Sequence, residues 1–378
     1  MDLSLTESQQ MLKDGAEDFL ARSAPRDVLV ALDDTETGYS DAMWKTAAEI
    51  GWLGIVTPEA HGGTGGTLTD AAVVFEALGG GPVPGPFFSS GVLAPILLTA
   101  LGSDAQQERL LPKLATGETI AAFAMTEPDW GWGTDAVQMR AEPTSGGGYR
   151  LTGAKLFVFD ALTADHLIVA ARADSGVVTL LVDARAVGVT IRRMTGFLTG
   201  ECVVEFAGVE VAAENVLPGD EAALAAALLR ATPVLCAQMV GGAQQVYEMS
   251  VEYSRSRKQF GQPIGRFQHV QNHIVQLVNY LDGARWTTYE ALWKLDAGRE
   301  GTAVAAHLAK ICASEGYLHA TNYAHEVHAG IGVMREYGLT LYTRASRSLY
   351  HSLGDPQWHR RSLGSRMPEM AEAVAAAR

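Results

Sequence analysis

The sequence predicts an α+β chain, mostly α, in which an N-terminal helical domain and a C-terminal helical bundle flank a small central β domain. Three observations predict it. The N-terminal end reads as helices broken by glycine-rich loops, and the C-terminal end carries long helical patterns with few breakers. From about residue 119 to residue 220 the period shortens to β-branched runs separated by Gly, Asp and Ser turns. The 378 residues exceed the length at which one hydrophobic core stops growing, and an apolar content of 47% supplies more than one core. The expected domains are therefore residues 1–118, 119–220 and 221–378.

The first domain opens on Leu5-Thr6-Glu7-Ser8-Gln9, a helix-start pattern, with Met11, Phe19 and Leu20 following at helical spacing. A second helical segment runs from Asp41 to Leu53 and meets Gly51, Gly54 and Pro58. Gly62-Gly63-Thr64-Gly65-Gly66 forms a loop, and Gly79-Gly80-Gly81-Pro82 ends the next helix. In the middle domain the strand-like runs are 149–153, 167–171, 177–182 and 187–191. Beyond Asp220 the helical patterns are 221–229, 240–253, 268–295, 302–326 and 367–377. Long helices joined by short connections read as a bundle.

Lys and Arg number 29 against 43 Asp and Glu, a net charge of −14. Such a chain is a poor partner for polyanions, which argues against nucleic acid or an anionic membrane surface, though not against one small anion in a local basic pocket. Cys202, Cys236 and Cys312 are far apart and form no Cys-x-x-Cys pair. Reduced, buried thiols are expected, and no metal site. The start, Met1-Asp2-Leu3-Ser4, lacks the basic and apolar regions of a signal peptide, and no run of about 18 apolar residues suggests a spanning helix. A cytoplasmic location is the expectation.

Five short motifs then occur in order. They are Gly51-Trp52-Leu53-Gly54 with Pro58-Glu59 and Gly62-Gly63; Ala124-Met125-Thr126-Glu127-Pro128 with Gly133-Thr134-Asp135; and Phe206, Val209 and Val211 with Asn215-Val216-Leu217 and Gly219. The fourth is Arg255-Ser256-Arg257-Lys258-Gln259-Phe260-Gly261 with Pro263-Ile264 and Phe267-Gln268. The last is His328-Ala329-Gly330-Ile331-Gly332 with Glu336-Tyr337 and Arg344. Each is weak alone; their order across nearly the whole chain resembles the acyl-CoA dehydrogenase family. That resemblance implies a helical domain, a β domain and a four-helix bundle, with FAD as cofactor and an acyl-CoA thioester as substrate. It implies a reaction in which a carboxylate removes an α-proton while the β-hydrogen leaves for flavin N5, the flavin carrying the redox chemistry.

The resemblance also assigns residues. Arg257, Gln259 and Phe260 would reach the flavin pyrophosphate and adenosine across a dimer interface, a planar guanidinium being well matched to phosphate. Met125, Thr126, Gly133 and Thr134 would line the ring of a flavin shared with the neighbouring subunit. Here Asp129-Trp130-Gly131-Trp132 widens the usual loop by two residues, and its tryptophans either close over the ring or fill the space a flavin would take. Phe157 keeps an expected aromatic, whereas Phe159 replaces a Thr and loses a hydroxyl near N5. Glu326 stands where an amide is usual, four positions before Gly330, and would set like charge beside the pyrophosphate. His328 reads as a packed histidine.

The carboxylate base is missing by resemblance. The usual position, nine residues after Arg344, holds Leu353, and the alternative position, two before Pro233, holds Ala231 with Thr232 beside it. Asp355 is the nearest carboxylate, with Tyr350 and His351 also close; before Pro356 the ordinary role of Asp355 is a helix cap. The tail Gly354-Asp355 and His359-Arg360 resembles actinobacterial-type sterol side-chain dehydrogenases, commonly heterotetramers (α2β2) in which one subunit supplies the base. The implied partners are an acyl-CoA, a related subunit or a second copy of this chain, and an acceptor of the electron-transfer flavoprotein type. Two other readings stay open: a homotetramer using Asp355, and a flavin-free binding or scaffold protein of the same fold.

Overall fold

A computed structural model describes residues 4–129, 131–198 and 200–376, with side chains up to residue 366. The first helices are α1 (Glu7–Ser23), α2 (Arg26–Asp33), α3 (Asp41–Glu49), α4 (Leu68–Gly80), α5 (Ala94–Leu101) and α6 (Asp104–Ala115). Eight strands follow: β1 (Ala121–Ala124), β2 (Ala141–Pro143), β3 (Tyr149–Phe159), β4 (His166–Ala173), β5 (Gly176–Asp183), β6 (Val189–Arg193), β7 (Glu201–Val211) and β8 (Val216–Leu217). After them come α7 (Glu221–Ser256), the hairpin β9 (Lys258–Gln259) and β10 (Gln262–Pro263), α8 (Gln268–Asp296), α9 (Thr302–His328), α10 (Leu339–His351) and α11 (Pro356–Ala376). The chain is thus mostly helical with a small β region in its middle.

The start signal of α1 is confirmed in atomic detail. Thr6 Oγ1 accepts from Gln9 N, and the Gln9 side chain accepts from Thr6 N, a reciprocal capping box. Elsewhere the elements differ from the sequence expectation. Helix α3 stops at Glu49 rather than Leu53, because Gly51 takes a left-handed φ of 84° and Trp52–Gly54 tightens into a 3₁₀ turn. The two segments expected at 221–229 and 240–253 are one helix. Pro233 has no N–H to donate, yet α7 continues through it, flanked by the buried Ala231, Thr232, Val234 and Leu235; packing outweighs the propensity cost. This helix is long and apolar enough, by length and composition, to cross a membrane, a feature the sequence reading did not register; 67% of its most apolar window is buried. The last helix begins at Pro356, well before 367; Ala377 lies outside the described residues.

The chain forms two compact units, each discontinuous in sequence: 1–30 with 72–83 and 232–378, and 31–71 with 84–231. In the first unit α8, α10 and α11 all pack on α9. Helices α4 and α7 cross at backbone contact. A Cβ on Gly79 would fall 1.9 Å from Gln238 O, and one on Gly241 1.7 Å from Glu76 O, so only glycine fits at either place. The Glu76 carboxylate beside this crossing accepts from Tyr289 Oη at 2.6 Å and faces the Arg285 guanidinium at 3.5 Å.

The second unit contains two four-stranded sheets, ordered β1-β4-β5-β8 and β2-β3-β7-β6. Only the β1–β4 pairing in these sheets is parallel, Ala121 opposite His166 through Ala124 opposite Val169. Strand β4 reads as a continuous apolar run because Leu167 to Ala171 are all inaccessible to solvent. Buried Gln106 of α6 donates to the carbonyls of Glu214 and Val216, tying a helix to the edge next to β8. Strand β3 is broken by register shifts between Leu151 and Thr152 and between Lys155 and Val158. The second shift shapes the region that the motifs single out.

Candidate active site

In the sheet-containing unit, strand β1 delivers Met125 and Thr126 to the end of the sheet. Met125 is buried and Thr126 half-buried. Leu156 N donates to Thr126 O at 2.8 Å, so this segment is paired with β3 just where β3 bulges. Phe157 sits in the bulge with φ 53°, a left-handed conformation uncommon for a large side chain. Val158 is fully buried, while Phe157 and Phe159 on either side of it are half-buried. Two partly open aromatic side chains beside backbone polar groups suit a planar heterocycle.

Glu127 and Lys155 form a buried ion pair behind these residues. Lys155 Nζ is 2.6 Å from Glu127 Oε1 and donates also to Met125 O at 3.1 Å. The Glu127 carboxylate accepts from the backbone N–H groups of Gln138, at 3.0 Å, and Met139, at 2.9 Å. Burial pushes the Lys155 pKa down, and Glu127 offsets part of that shift. The loop between carries Gly133, buried with φ 103°, and half-buried Thr134. Arg172 holds this loop from β4, donating to Thr134 O at 2.7 Å and Val137 O at 3.0 Å. Of the two expected loop tryptophans, Trp132 is half-buried and Trp130 lies outside the described residues.

In the other unit, β9 and β10 form a hairpin whose two-residue turn is Phe260-Gly261. Both have positive φ, 52° and 80°, as a type I′ turn requires. The hairpin presents Arg257 and Gln259 to solvent, and Phe260 is 91% exposed, touching Phe267 only edge-on at 6.1 Å between centroids. Glu326 and Gly330 are also exposed, and a Cβ built on Gly330 would meet nothing within 4 Å. His328, by contrast, is packed: its Nδ1–H donates to Ala324 O at 2.7 Å and its ring stacks on Tyr253 at 4.8 Å. Burial holds its pKa below the ordinary value.

The same unit contains the turn that joins α10 to α11. Leu353 has φ 54° and is 7% exposed. Two buried polar systems support it. His359 Nε2 donates to Leu353 O at 2.9 Å, so His359 Nδ1 must accept, and His307 Nδ1–H donates to it at 2.8 Å. Burial lowers both imidazoles, to about 4 for His307 and about 3 for His359, so both are neutral at pH 7. Lys310, fully buried, donates to Gly354 O at 3.0 Å, Tyr350 O at 3.1 Å, Leu349 O at 3.2 Å and Ser314 Oγ at 2.8 Å. It closes the carbonyl end of α10 as a side-chain cap. Asp355 caps the next helix: its Oδ1 accepts from Trp358 N at 2.7 Å. Ala231, the alternative base position, is fully buried inside α7. Among the described residues no cluster of three or more His, Cys, Asp or Glu could hold a metal ion.

The comparisons agree with this architecture. Models of the acyl-CoA dehydrogenase N-terminal, middle and C-terminal domains match residues 6–118, 122–202 and 221–367. A probable acyl-CoA dehydrogenase of Bacillus subtilis, YngJ, is 31% identical over 92% of this chain and 94% of its own length. The solved ChsE4–ChsE5 complex from Mycobacterium tuberculosis superposes with a TM-score of 0.90 at 26% identity, covering 98% of this chain and 99% of the matched one. A variant of the Tcur3481–Tcur3483 steroid ACAD gives 0.88 at 28% identity, over 97% and 99%. The chain belongs to the acyl-CoA dehydrogenase family, whose members are FAD-dependent oxidoreductases.

The residue chemistry fits FAD in each unit taken separately. One unit offers a guanidinium, an amide and an open aromatic ring on a hairpin; the other offers two half-buried aromatic rings beside a pinned backbone edge. The sequence motifs located these groups. They did not show the groups beneath them: Lys155 with Glu127, Arg172, and the His307–His359–Lys310 support of the turn. The Lys155–Glu127, Arg172–Val137, Lys310–Gly354 and His307–His359 contacts join residues 28 to 52 positions apart.

Proposed function

We propose that this chain is the base-lacking subunit of an FAD-dependent acyl-CoA dehydrogenase assembled as two copies each of two related chains. The observation that carries the proposal is the turn at 351–355. It is fully supported from beneath by Lys310 and His359, yet it presents Leu353, and its neighbouring carboxylate, Asp355, is engaged as the cap of α11. A leucine cannot accept an α-proton. The base must therefore come from another chain if this assembly oxidises an acyl-CoA.

In this reading the domains divide near residues 118 and 220, and FAD is held by residues from two subunits. Arg257, Gln259 and Phe260 of one subunit contact the pyrophosphate and adenosine, with Gly330 nearby and the carboxylate of Glu326 opposing them. Met125, Thr126, Gly133, Thr134 and Phe157 of its neighbour border the ring. When bound, FAD supplies the two-electron acceptor for Cα–Cβ oxidation. Phe159 brings no hydroxyl to the ring, so this subunit's part is to bind and orient. The complex is placed in the cytoplasm, passes electrons to an acceptor of the electron-transfer flavoprotein type, and takes a sterol side-chain or similar acyl-CoA. The matched two-protein ChsE4–ChsE5 complex and steroid ACAD support the heteromeric and sterol parts.

The test is to express the chain alone and together with a related chain carrying the family Glu, and to follow acceptor reduction with a panel of acyl-CoAs. Activity should require the second chain. Leu353→Glu should give the isolated, FAD-loaded chain turnover at least ~10²-fold above its own background. Full activity of the unaltered chain by itself would reject the reading.

A further inference from the structure

Seven backbone and side-chain contacts converge on the segment between Met125 and Met139, made by charged groups at its base and at its crest. At its base, Lys155 joins Met125 O to the Glu127 carboxylate, which in turn takes the N–H groups of Gln138 and Met139. The carboxylate therefore closes the loop on itself, Glu127 at its start and Gln138-Met139 at its end. At its crest, Arg172 holds the carbonyls of Thr134 and Val137. Its guanidinium lies 3.6 Å from Glu221, whose carboxylate is hydrogen-bonded by the Thr134 side chain and accepts from Val177 N.

Such an arrangement is more than a loop needs for stability alone. A buried ammonium–carboxylate pair contributes little net stability compared with apolar residues of the same volume, but it fixes geometry, since each partner must meet the other and its remaining hydrogen bonds. Here the remaining bonds all go to the backbone of one loop. The loop is also the place where the chain is two residues longer than the family pattern it resembles, at Asp129–Trp132.

We propose that Glu127 with Lys155, and Arg172 with Glu221, are two clamps that position the Met125–Thr126 and Gly133–Thr134 backbone for the flavin, making Glu127, Lys155 and Arg172 positioning residues of the cofactor site. The inference rests on the FAD reading given above. The clamps act without touching the ligand: they set where the backbone polar groups stand before binding, which lowers the ordering cost when FAD arrives.

The experiment measures FAD affinity of the apo-protein, the visible flavin band and amide exchange at Gln138 and Met139. It compares Glu127→Gln, which keeps shape and loses charge, with the more exposed Arg172→Gln, and uses Leu180→Ala in the β5 core as a stability control. All are read at a temperature where circular dichroism shows each protein folded. The expected result is at least a tenfold weaker FAD dissociation constant and an altered flavin band in both clamp variants. Exchange at Gln138 and Met139 should speed up in Glu127→Gln. Leu180→Ala should lower Tm while leaving FAD affinity within twofold. Clamp variants that bind FAD within twofold of the unaltered protein overturn the proposal, whatever their Tm. An unaltered protein that takes up no FAD overturns the flavin reading and this inference together, an outcome seen before any variant is made.

Discussion

Among the described residues two lysines are completely buried, one in each unit, and they are held in opposite ways. Lys155 has a carboxylate partner, Glu127, 2.6 Å away. Lys310 has four neutral oxygens and no carboxylate within bonding distance among its hydrogen-bond partners, and burial drives its pKa down to about 8. Lys155 lies behind the loop proposed to border the flavin, Lys310 under the turn that carries Leu353. The difference teaches that a buried ammonium can be held either by a carboxylate or by converging neutral oxygens, with burial lowering its pKa in both cases.

The largest expected effect breaks the first half of that comparison. Lys155→Met leaves the Glu127 carboxylate buried and unpaired and should destabilise the protein by about 3–5 kcal/mol; chemical denaturation checks it. A loss below about 1 kcal/mol would mean that the pair is not closed in solution. Next comes cofactor retention. If Arg257 contacts the FAD pyrophosphate as proposed, Arg257→Ala should weaken FAD binding about tenfold to a hundredfold, measured by titration of the apo-protein, with folding unchanged because Arg257 is exposed.

Lys310→Met sharpens the second half. It leaves the carbonyls of Leu349, Tyr350 and Gly354 without this donor and should cost about 1–3 kcal/mol at pH 7. The pH dependence has a definite sign. In the folded chain Lys310 loses its proton near pH 8, in the unfolded chain near 10.5, so between these values the unfolded state binds more protons. The Lys310 contribution to stability therefore rises with pH from about 8 to 10.5, at up to about 1.4 kcal/mol per pH unit. Comparing denaturation of the two proteins at pH 7 and pH 10 isolates it, since the neighbours Cys236 and Asp355 are common to both. The smallest effect belongs to the exposed Glu326: if it faces the pyrophosphate as proposed, Glu326→Gln should tighten FAD binding by about two- to fivefold, read by the same titration.

The fold was largely legible because its signals are local. The Thr6-to-Gln9 capping box, the β-branched runs of the middle region and the capping role of Asp355 each depend on residues a few positions apart, although the sequence pattern places the helix that Asp355 caps only from 367. What escaped depends on tertiary context. The segments expected at 221–229 and 240–253 are one helix that runs through Pro233, and Ala121–Ala124, not among the expected strand runs, forms β1 because His166–Val169 runs beside it. The same division holds at the site. Arg257, Phe260 and Thr126 stand in recognisable strings, whereas the partners of Lys155, Lys310 and His359 are fixed only by folding. That Leu353 is no carboxylate is legible in the sequence; that its turn is supported from beneath by Lys310 and His359 is not.

The central claim, that this chain does not supply the base, is tested most directly by acyl-CoA-dependent acceptor reduction with the isolated, FAD-loaded chain and its Asp355→Asn variant. The expected result is no turnover by either protein alone, and equal activity of both once a related chain carrying the family Glu is added. Turnover by the isolated chain that disappears in a folded Asp355→Asn variant would contradict the claim and make Asp355 the base.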